Sequence, residues 1–140
     1  MSRRAFVDTN IWVYTVDDGE PDKQARAREV VKPAPGKDLV TSAQVLGEFY
    51  VTVRRKFPDA VPEQEAVALV DRLRKLPVVP VDAELVSVAI ANARAWQLSY
   101  WDALIVSAAQ TSGCAVVLSE DLAHGQNYGL IRVENPFLEA

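Results

Sequence analysis

Apolar positions along the chain follow two spacings: short unbroken runs, and longer stretches in which they recur at three- and four-residue steps. Ala5 to Asp8 is a short apolar run closed by an acid, and Asp8-Thr9-Asn10 are residues suited to ending a strand and capping a helix. The pattern there predicts strand, turn, helix. Asp17-Asp18-Gly19-Glu20-Pro21 reads as a loop and Gln24 to Val31 as a helix, stopped by Lys32-Pro33-Ala34-Pro35-Gly36. Asp38 to Val40 predicts the second strand, with Thr41 and Ser42 as caps for the next helix. From Ser42 to Phe57 the residues Val45, Leu46, Phe49, Tyr50, Val53 and Phe57 form an apolar helical stripe that Pro58 ends. Pro62, Glu63 and Glu65 open another helix, which Val67, Leu69, Val70 and Leu73 carry to about Lys75. Pro77 to Val81 reads as extended. Helical spacing returns over Ala83 to Trp96 and, after a break at Gln97-Leu98, over Ser99 to Thr111, with Gly113 as the stop. Ala115 to Leu118 and Ile131 to Val133 are short β-branched runs. Strands interleaved with helices predict an α/β domain with a mainly parallel sheet.

A chain of 140 residues that is 49% hydrophobic has the material for one core of ordinary size, and no repeat, linker or low-complexity segment divides it. No run of about 18 apolar residues occurs. Arg3-Arg4 is followed by only three uncharged residues before Asp8, too few for a signal peptide's apolar region. The expectation is a cytoplasmic protein with no membrane association. The single cysteine, Cys114, rules out an intramolecular disulfide and a multi-cysteine zinc site, and its apolar neighbours predict a small buried hydrophobe.

Charge bears on function. A net charge of -4 and a pI near 5.0 argue against a broad basic surface that grips nucleic acid. Four of the acids, however, stand at positions of chemical interest. In an open parallel sheet, ligands bind beyond the carboxyl ends of the strands, near the point where the strand order reverses. Asp8 ends the first strand, and Asp121 follows the Ala115 to Leu118 strand within Ser119-Glu120-Asp121. Asp102 begins a helix, and Glu48 lies about two turns into another, beside its apolar stripe. Hard cations such as Mg²⁺ take oxygen ligands and are held by a few carboxylates, with water and phosphate completing the shell. Each acid also has a purely structural use: Asp8 and Asp102 as helix caps, Asp121 as a turn residue, Glu48 as a solvated helix edge. What those uses leave unexplained is the gathering of all four at places that a sheet brings to one edge. Setting the four aside leaves acids and bases balanced in number.

Other chemistries fit less well. A metal-free ribonuclease needs a pair of acid-base groups, and the chain has one histidine, His124, which reads as a loop residue that positions backbone or contacts RNA. A dehalogenase-like phosphatase wants a second aspartate where Asn10 stands, and a phosphoacceptor receiver domain wants a late lysine, whereas none follows Lys75. Arg54, Arg55 and Lys56 end the helix that bears Glu48. Arg55 falls near the same face about 10 Å along the axis, where it serves either a phosphate path or the helix dipole. Trp101, beside Asp102, is read as a core residue in preference to a platform for an unpaired base.

Four segments together resemble a known family. Phe6-Val7-Asp8-Thr9-Asn10, Gln44-Val45-Leu46-Gly47-Glu48-Phe49-Tyr50, Tyr100-Trp101-Asp102-Ala103-Leu104-Ile105 and Leu118-Ser119-Glu120-Asp121-Leu122 resemble, in order and approximate spacing, the signature segments of PIN domains, most nearly those of VapC-like toxins. The resemblance covers nearly the whole chain. It implies a three-layer α/β/α sandwich and a Mg²⁺- or Mn²⁺-dependent endoribonuclease acting on single-stranded or looped RNA, leaving a 5′-phosphate and a 3′-hydroxyl. Asp8, Glu48, Asp102 and Asp121 carry over as the acidic, metal-holding quartet, and Thr9, Asn10, Ser42 and Ser119 as polar residues that orient it. Glu120 stays open as an alternative fourth acid, although Asp121 stands at the family's spacing from Ser119. The resemblance further implies a homodimer and a small antitoxin partner lodged in an apolar groove, for which Trp12, Phe49, Tyr50 and Trp96 are candidates. The alternatives are a solitary RNA-processing nuclease and a catalytically inactive PIN-like module that binds RNA or protein.

Overall fold

The computed structural model describes residues 3–138. The chain begins with strand β1 (Arg3–Val7), helix α1 (Thr9–Tyr14), helix α2 (Pro21–Val31), strand β2 (Lys37–Ser42) and helix α3 (Ala43–Lys56). Helix α4 (Glu63–Leu73), strand β3 (Val78–Val79), helix α5 (Ala83–Trp96) and helix α6 (Tyr100–Thr111) follow, then strands β4 (Val116–Leu118), β5 (Asn127–Tyr128) and β6 (Ile131–Glu134).

These six strands form one sheet in the order β3-β2-β1-β4-β6-β5, parallel throughout except for the antiparallel β5–β6 pair. Ala5, Phe6 and Val7 of β1 are all buried, as expected of a parallel strand covered on both faces. The chain moves outward from β1 to β2 to β3 and then returns to the opposite flank of β1 as β4. Right-handed crossovers therefore put α1 to α4 on one face of the sheet and α5 and α6 on the other. Helix contacts agree: α3 packs on α1 and α4, while α5 packs on α6. Seven consecutive residues of α6, Ala103 to Ala109, are buried because α5 covers the side that the sheet does not. The polar member of that run, Ser107, accepts a hydrogen bond from Asn92 Nδ2 of α5 at 2.9 Å.

The reversal of strand order lies between β1 and β4, where Asp8 N donates to Leu118 O at 3.0 Å. Helix α3 leaves the carboxyl end of β2, with Ser42 Oγ accepting from Val45 N to cap it. Helix α6 runs back toward the start of β4, so its first turn lies at that same edge.

Three expectations shift. Thr41 belongs to β2 and only Ser42 caps α3. Helix α2 starts earlier than predicted, at Pro21, whose fixed φ suits the first helical turn. Strand β5 was not predicted: its pairing with β6 depends on a two-residue turn at Gly129-Leu130, where Gly129 has φ 61°. Cys114 is buried as expected, and burial pushes its thiol pKa up. No helix among the described residues is long and apolar enough to cross a membrane.

Candidate active site

Asp8, one residue beyond β1, is 7% exposed. Its Oδ1 accepts from Thr9 N at 2.7 Å, and its Oδ2 accepts from Ser119 Oγ at 2.8 Å and Asn10 Nδ2 at 3.4 Å. Burial pushes its carboxyl up to about 6; the bonds from Ser119 and Thr9 pull it down, and the charges of Asp121 and Glu48 push it up again. Among the described residues no lysine or arginine pairs with Asp8, Glu48 or Asp121.

Asn10 connects the two strand ends. Its Nδ2 donates to Asp121 Oδ2 at 3.1 Å, and its Oδ1 accepts from Glu120 N at 3.0 Å. Ser119 Oγ is buried and accepts from Asp121 N and Leu122 N, so its own proton is free for Asp8. Glu48 is held from two sides: Thr9 Oγ1 donates to Oε2 at 3.0 Å and Gln44 Nε2 donates to Oε1 at 2.7 Å. The Gln44 amide, not singled out from the sequence, also reaches Trp101 O at 3.3 Å, which links α3 to the first turn of α6. There Asp102 is half-buried, its backbone N–H donates to Ser99 Oγ at 3.1 Å, and its carboxylate accepts no hydrogen bond among the described residues.

Of the four residues expected to orient the acids, Thr9, Asn10 and Ser119 touch them directly. Ser42 does not; it is buried and spent on capping α3. Glu120 is turned to other partners, accepting from Tyr14 Oη at 2.6 Å and Lys23 Nζ at 2.6 Å. Burial alone would raise the Glu120 pKa, but those two partners outweigh it and hold the carboxyl below its ordinary value. Lys23 Nζ also lies 5.0 Å from the centre of the Tyr14 ring. Asp121 is thus joined to Asp8 through Asn10, whereas the Glu120 carboxylate is taken up by Lys23 and Tyr14.

A cleft of about 260 Å³ opens between Glu48, Thr52 and Lys56 of α3 and the Glu120-Asp121 turn. Lys56, two turns beyond Glu48, lines it in place of Arg55, while Arg54 donates to Pro58 O and Val61 O at the end of its helix. His124 accepts from Asn135 N through Nδ1 at 2.9 Å, a backbone-positioning role. Trp101 departs from the core reading: it is 63% exposed, with Tyr100 packed against its ring at 4.9 Å. Trp12 and Phe49 are buried, so neither is available to a partner. Tyr50 lines an apolar groove with Leu46, Val67 and Val70.

The donor set suits a hard divalent cation. Asp8, Glu48 and Asp121 offer carboxylate oxygens that form no ion pair with a basic side chain among the described residues, and burial of Asp8, with the charges of Asp121 and Glu48 adding to it, raises its carboxyl. Among the described residues no group of three or more acidic, histidine or cysteine side chains is placed so that together they could hold a metal ion. Mg²⁺ does not require such a group, being held by one or two carboxylates with water and substrate phosphate.

Residues 5–129 match the family model of the PIN domain. The chain belongs to the PIN domain family. No curated protein sequence matches it. Among solved structures, this PIN domain is similar to Mycobacterium tuberculosis VapC20, a sarcin-ricin-loop-cleaving toxin, at 23% identity and a TM-score of 0.64 over 84% of this chain and 89% of that one. It is also similar to a toxin-antitoxin complex from Klebsiella pneumoniae, at 15% identity and a TM-score of 0.67 over 95% and 98%. DNA-bound VapBC from Salmonella typhimurium gives 17% identity and a TM-score of 0.65 over 97% and 99%. At these identities the similarity establishes the fold, an α/β arrangement with a mostly parallel sheet, as the sequence predicted.

Proposed function

We propose that this PIN domain is a Mg²⁺- or Mn²⁺-dependent endoribonuclease, with Asp8, Glu48, Asp102 and Asp121 holding the cations, and that it is the toxin of a toxin-antitoxin pair. The observation that carries the reading is the buried Asp8 carboxylate, joined to Asp121 through Asn10 and without an ion-pair partner among the described residues, at the strand-order reversal of the sheet. Bound there, a divalent cation supplies a water of lowered pKa and neutralises charge on the phosphoryl oxygens. Thr9 and Gln44 hold Glu48, Ser119 holds Asp8, and Asn10 holds Asp121, so three of the four acids have their orientation set by neighbouring side chains. The pairing of Glu120 with Lys23 and Tyr14 favours Asp121 as the fourth acid. The toxin assignment and a small antitoxin partner are supported by structural neighbours solved as toxin-antitoxin complexes. The groove beside Tyr50 is apolar enough to seat an antitoxin helix.

The test is cleavage of a single-stranded RNA with Mn²⁺, with EDTA, and with the product of a small neighbouring gene added. Cutting that requires the metal and is stopped by the neighbour's product is expected. Cutting that survives EDTA overturns the metal assignment. Metal-dependent cutting that no neighbour's product inhibits points to a solitary RNA-processing nuclease, and RNA binding without cutting points to an inactive module.

Lys56 is the basic residue that faces the cleft, and Arg54 is occupied by carbonyls. Lys56→Ala should weaken RNA binding and lower the salt slope of log K by roughly 0.7, the value for one phosphate contact on a single strand. Arg54→Ala should leave that slope unchanged. Equal slopes for Lys56→Ala and the parent, measured by fluorescence anisotropy at several salt concentrations, would assign both residues to the helix end alone.

A further inference from the structure

We propose that Trp101 is the stacking platform for an unpaired base of the RNA substrate, next to the scissile phosphate. The inference rests on the ribonuclease reading above and adds the group that holds the nucleotide in place. Four observations converge on it.

A tryptophan left 63% open is an exposed large apolar side chain on a residue type that folding ordinarily buries. It stands in the first turn of α6, immediately before Asp102, at the edge of the sheet where the acids gather. Its backbone carbonyl accepts from the same Gln44 amide that holds Glu48, so this turn of α6, from which the indole projects, is tied to Glu48 through one side chain. Tyr100 packs against the indole with the rings 74° apart, which restricts its motion while leaving most of its area open.

The charge of the chain favours such a platform. Much of the basic complement is already engaged: Arg3, Arg4, Lys23 and Arg74 pair with acids, and Arg26, Arg28, Lys37 and Arg54 donate to backbone carbonyls. With net charge -4, the chain has no overall positive field to draw in a polyanion, which leaves more of the binding to uncharged contacts. Stacking on an aromatic ring is uncharged, indifferent to which base is presented, and available only from an unpaired nucleotide. Preference for single-stranded or looped RNA follows directly.

The experiment combines Trp101→Ala, Trp101→Phe and the parent with a single-stranded RNA in which one abasic site is moved along the chain. In the parent, an abasic site at one position near the cut should raise KM roughly tenfold to a hundredfold, the range of a single base-aromatic stack. Trp101→Ala should raise KM by the same factor on intact RNA and become indifferent to the abasic site. Trp101→Phe should recover part of the loss. If the parent and Trp101→Ala cut intact RNA with equal KM, the platform is excluded while the nuclease reading stands. If the parent neither binds nor cuts any RNA with Mn²⁺, both readings fall. Should Trp101→Ala instead change the sedimentation of the protein and leave KM unaltered, the indole faces a second copy of the chain and the platform is again excluded.

Discussion

Asp8→Asn and Asp102→Asn should each lower Mn²⁺-supported RNA cleavage by on the order of 10³-fold or more, about 4 kcal/mol of transition-state stabilisation. The two positions test different aspects of the site. Asp8 is buried, caps α1 and accepts from three donors, so its replacement disturbs packing as well as charge. Asparagine caps a helix about as well as aspartate, which limits the structural part of the effect. Asp102 is half-buried with a carboxylate that accepts no hydrogen bond among the described residues, so Asp102→Asn should leave folding untouched. An unchanged melting curve with lost activity at Asp102, together with lost activity at Asp8, is the expected pair. Near-normal Mn²⁺-dependent rates in both variants would refute the assignment of these acids to the metal.

The second large effect is on stability. Between pH 4 and 6 the folded chain binds more protons than the unfolded one at Asp8, because its carboxyl rises from 3.8 to about 6 on folding. Stability at this residue is therefore greatest below pH 4 and is lost as pH rises through 6, by about 3 kcal/mol in all. Glu120, whose folded pKa is lowered, contributes in the opposite sense, its stabilisation being lost in acid, so a pH profile of the parent alone mixes the two.

The difference between the parent and Asp8→Asn isolates Asp8. At pH 7 in EDTA the variant escapes the cost of a buried ionised carboxylate but forfeits part of its hydrogen bonding with Ser119, about 1 kcal/mol or more. A net gain of about 1–2 kcal/mol, roughly 3–6 °C in Tm, should remain. Near pH 4 that gain should vanish. Mn²⁺ should act in the other direction, raising the parent by about 2.7 kcal/mol at a hundredfold excess over Kd and the variant by less. If the variant melts lower in EDTA at pH 7 and gains as much from Mn²⁺ as the parent, Asp8 is a helix cap and the cation binds elsewhere.

The elements of the fold were legible because most announce themselves locally. The apolar run at β1, the β-branched runs at β4 and β6, the three-and-four spacing of α3, α5 and α6, and the prolines and glycines between them are statements about short stretches of chain, and the structure reproduces them within a few residues. Strand β5 was illegible for the converse reason: Asn127-Tyr128 carries no alternation of its own and is a strand only because a turn at Gly129 lays it against β6. The positions of Asp8 after β1 and Asp121 after β4 could also be read in advance, since a parallel sheet sends every strand end to the same edge.

What surrounds those acids could not. That Glu120 turns to Lys23, 97 residues earlier, while its neighbour Asp121 turns to Asn10, is decided by which side chains the packing of α1 and α2 brings alongside. The same holds for Gln44 spanning Glu48 and Trp101, for Lys56 and not Arg55 lining the cleft, and for the exposed indole of Trp101, which the sequence reading placed in the core. Sequence determined the elements, the sheet edge and the residues offered to it, because these depend on local periodicity and strand direction. Only the tertiary structure decided which partner each side chain takes, because that depends on distances of a few ångströms between segments whose separation along the chain carries no information about their separation in space.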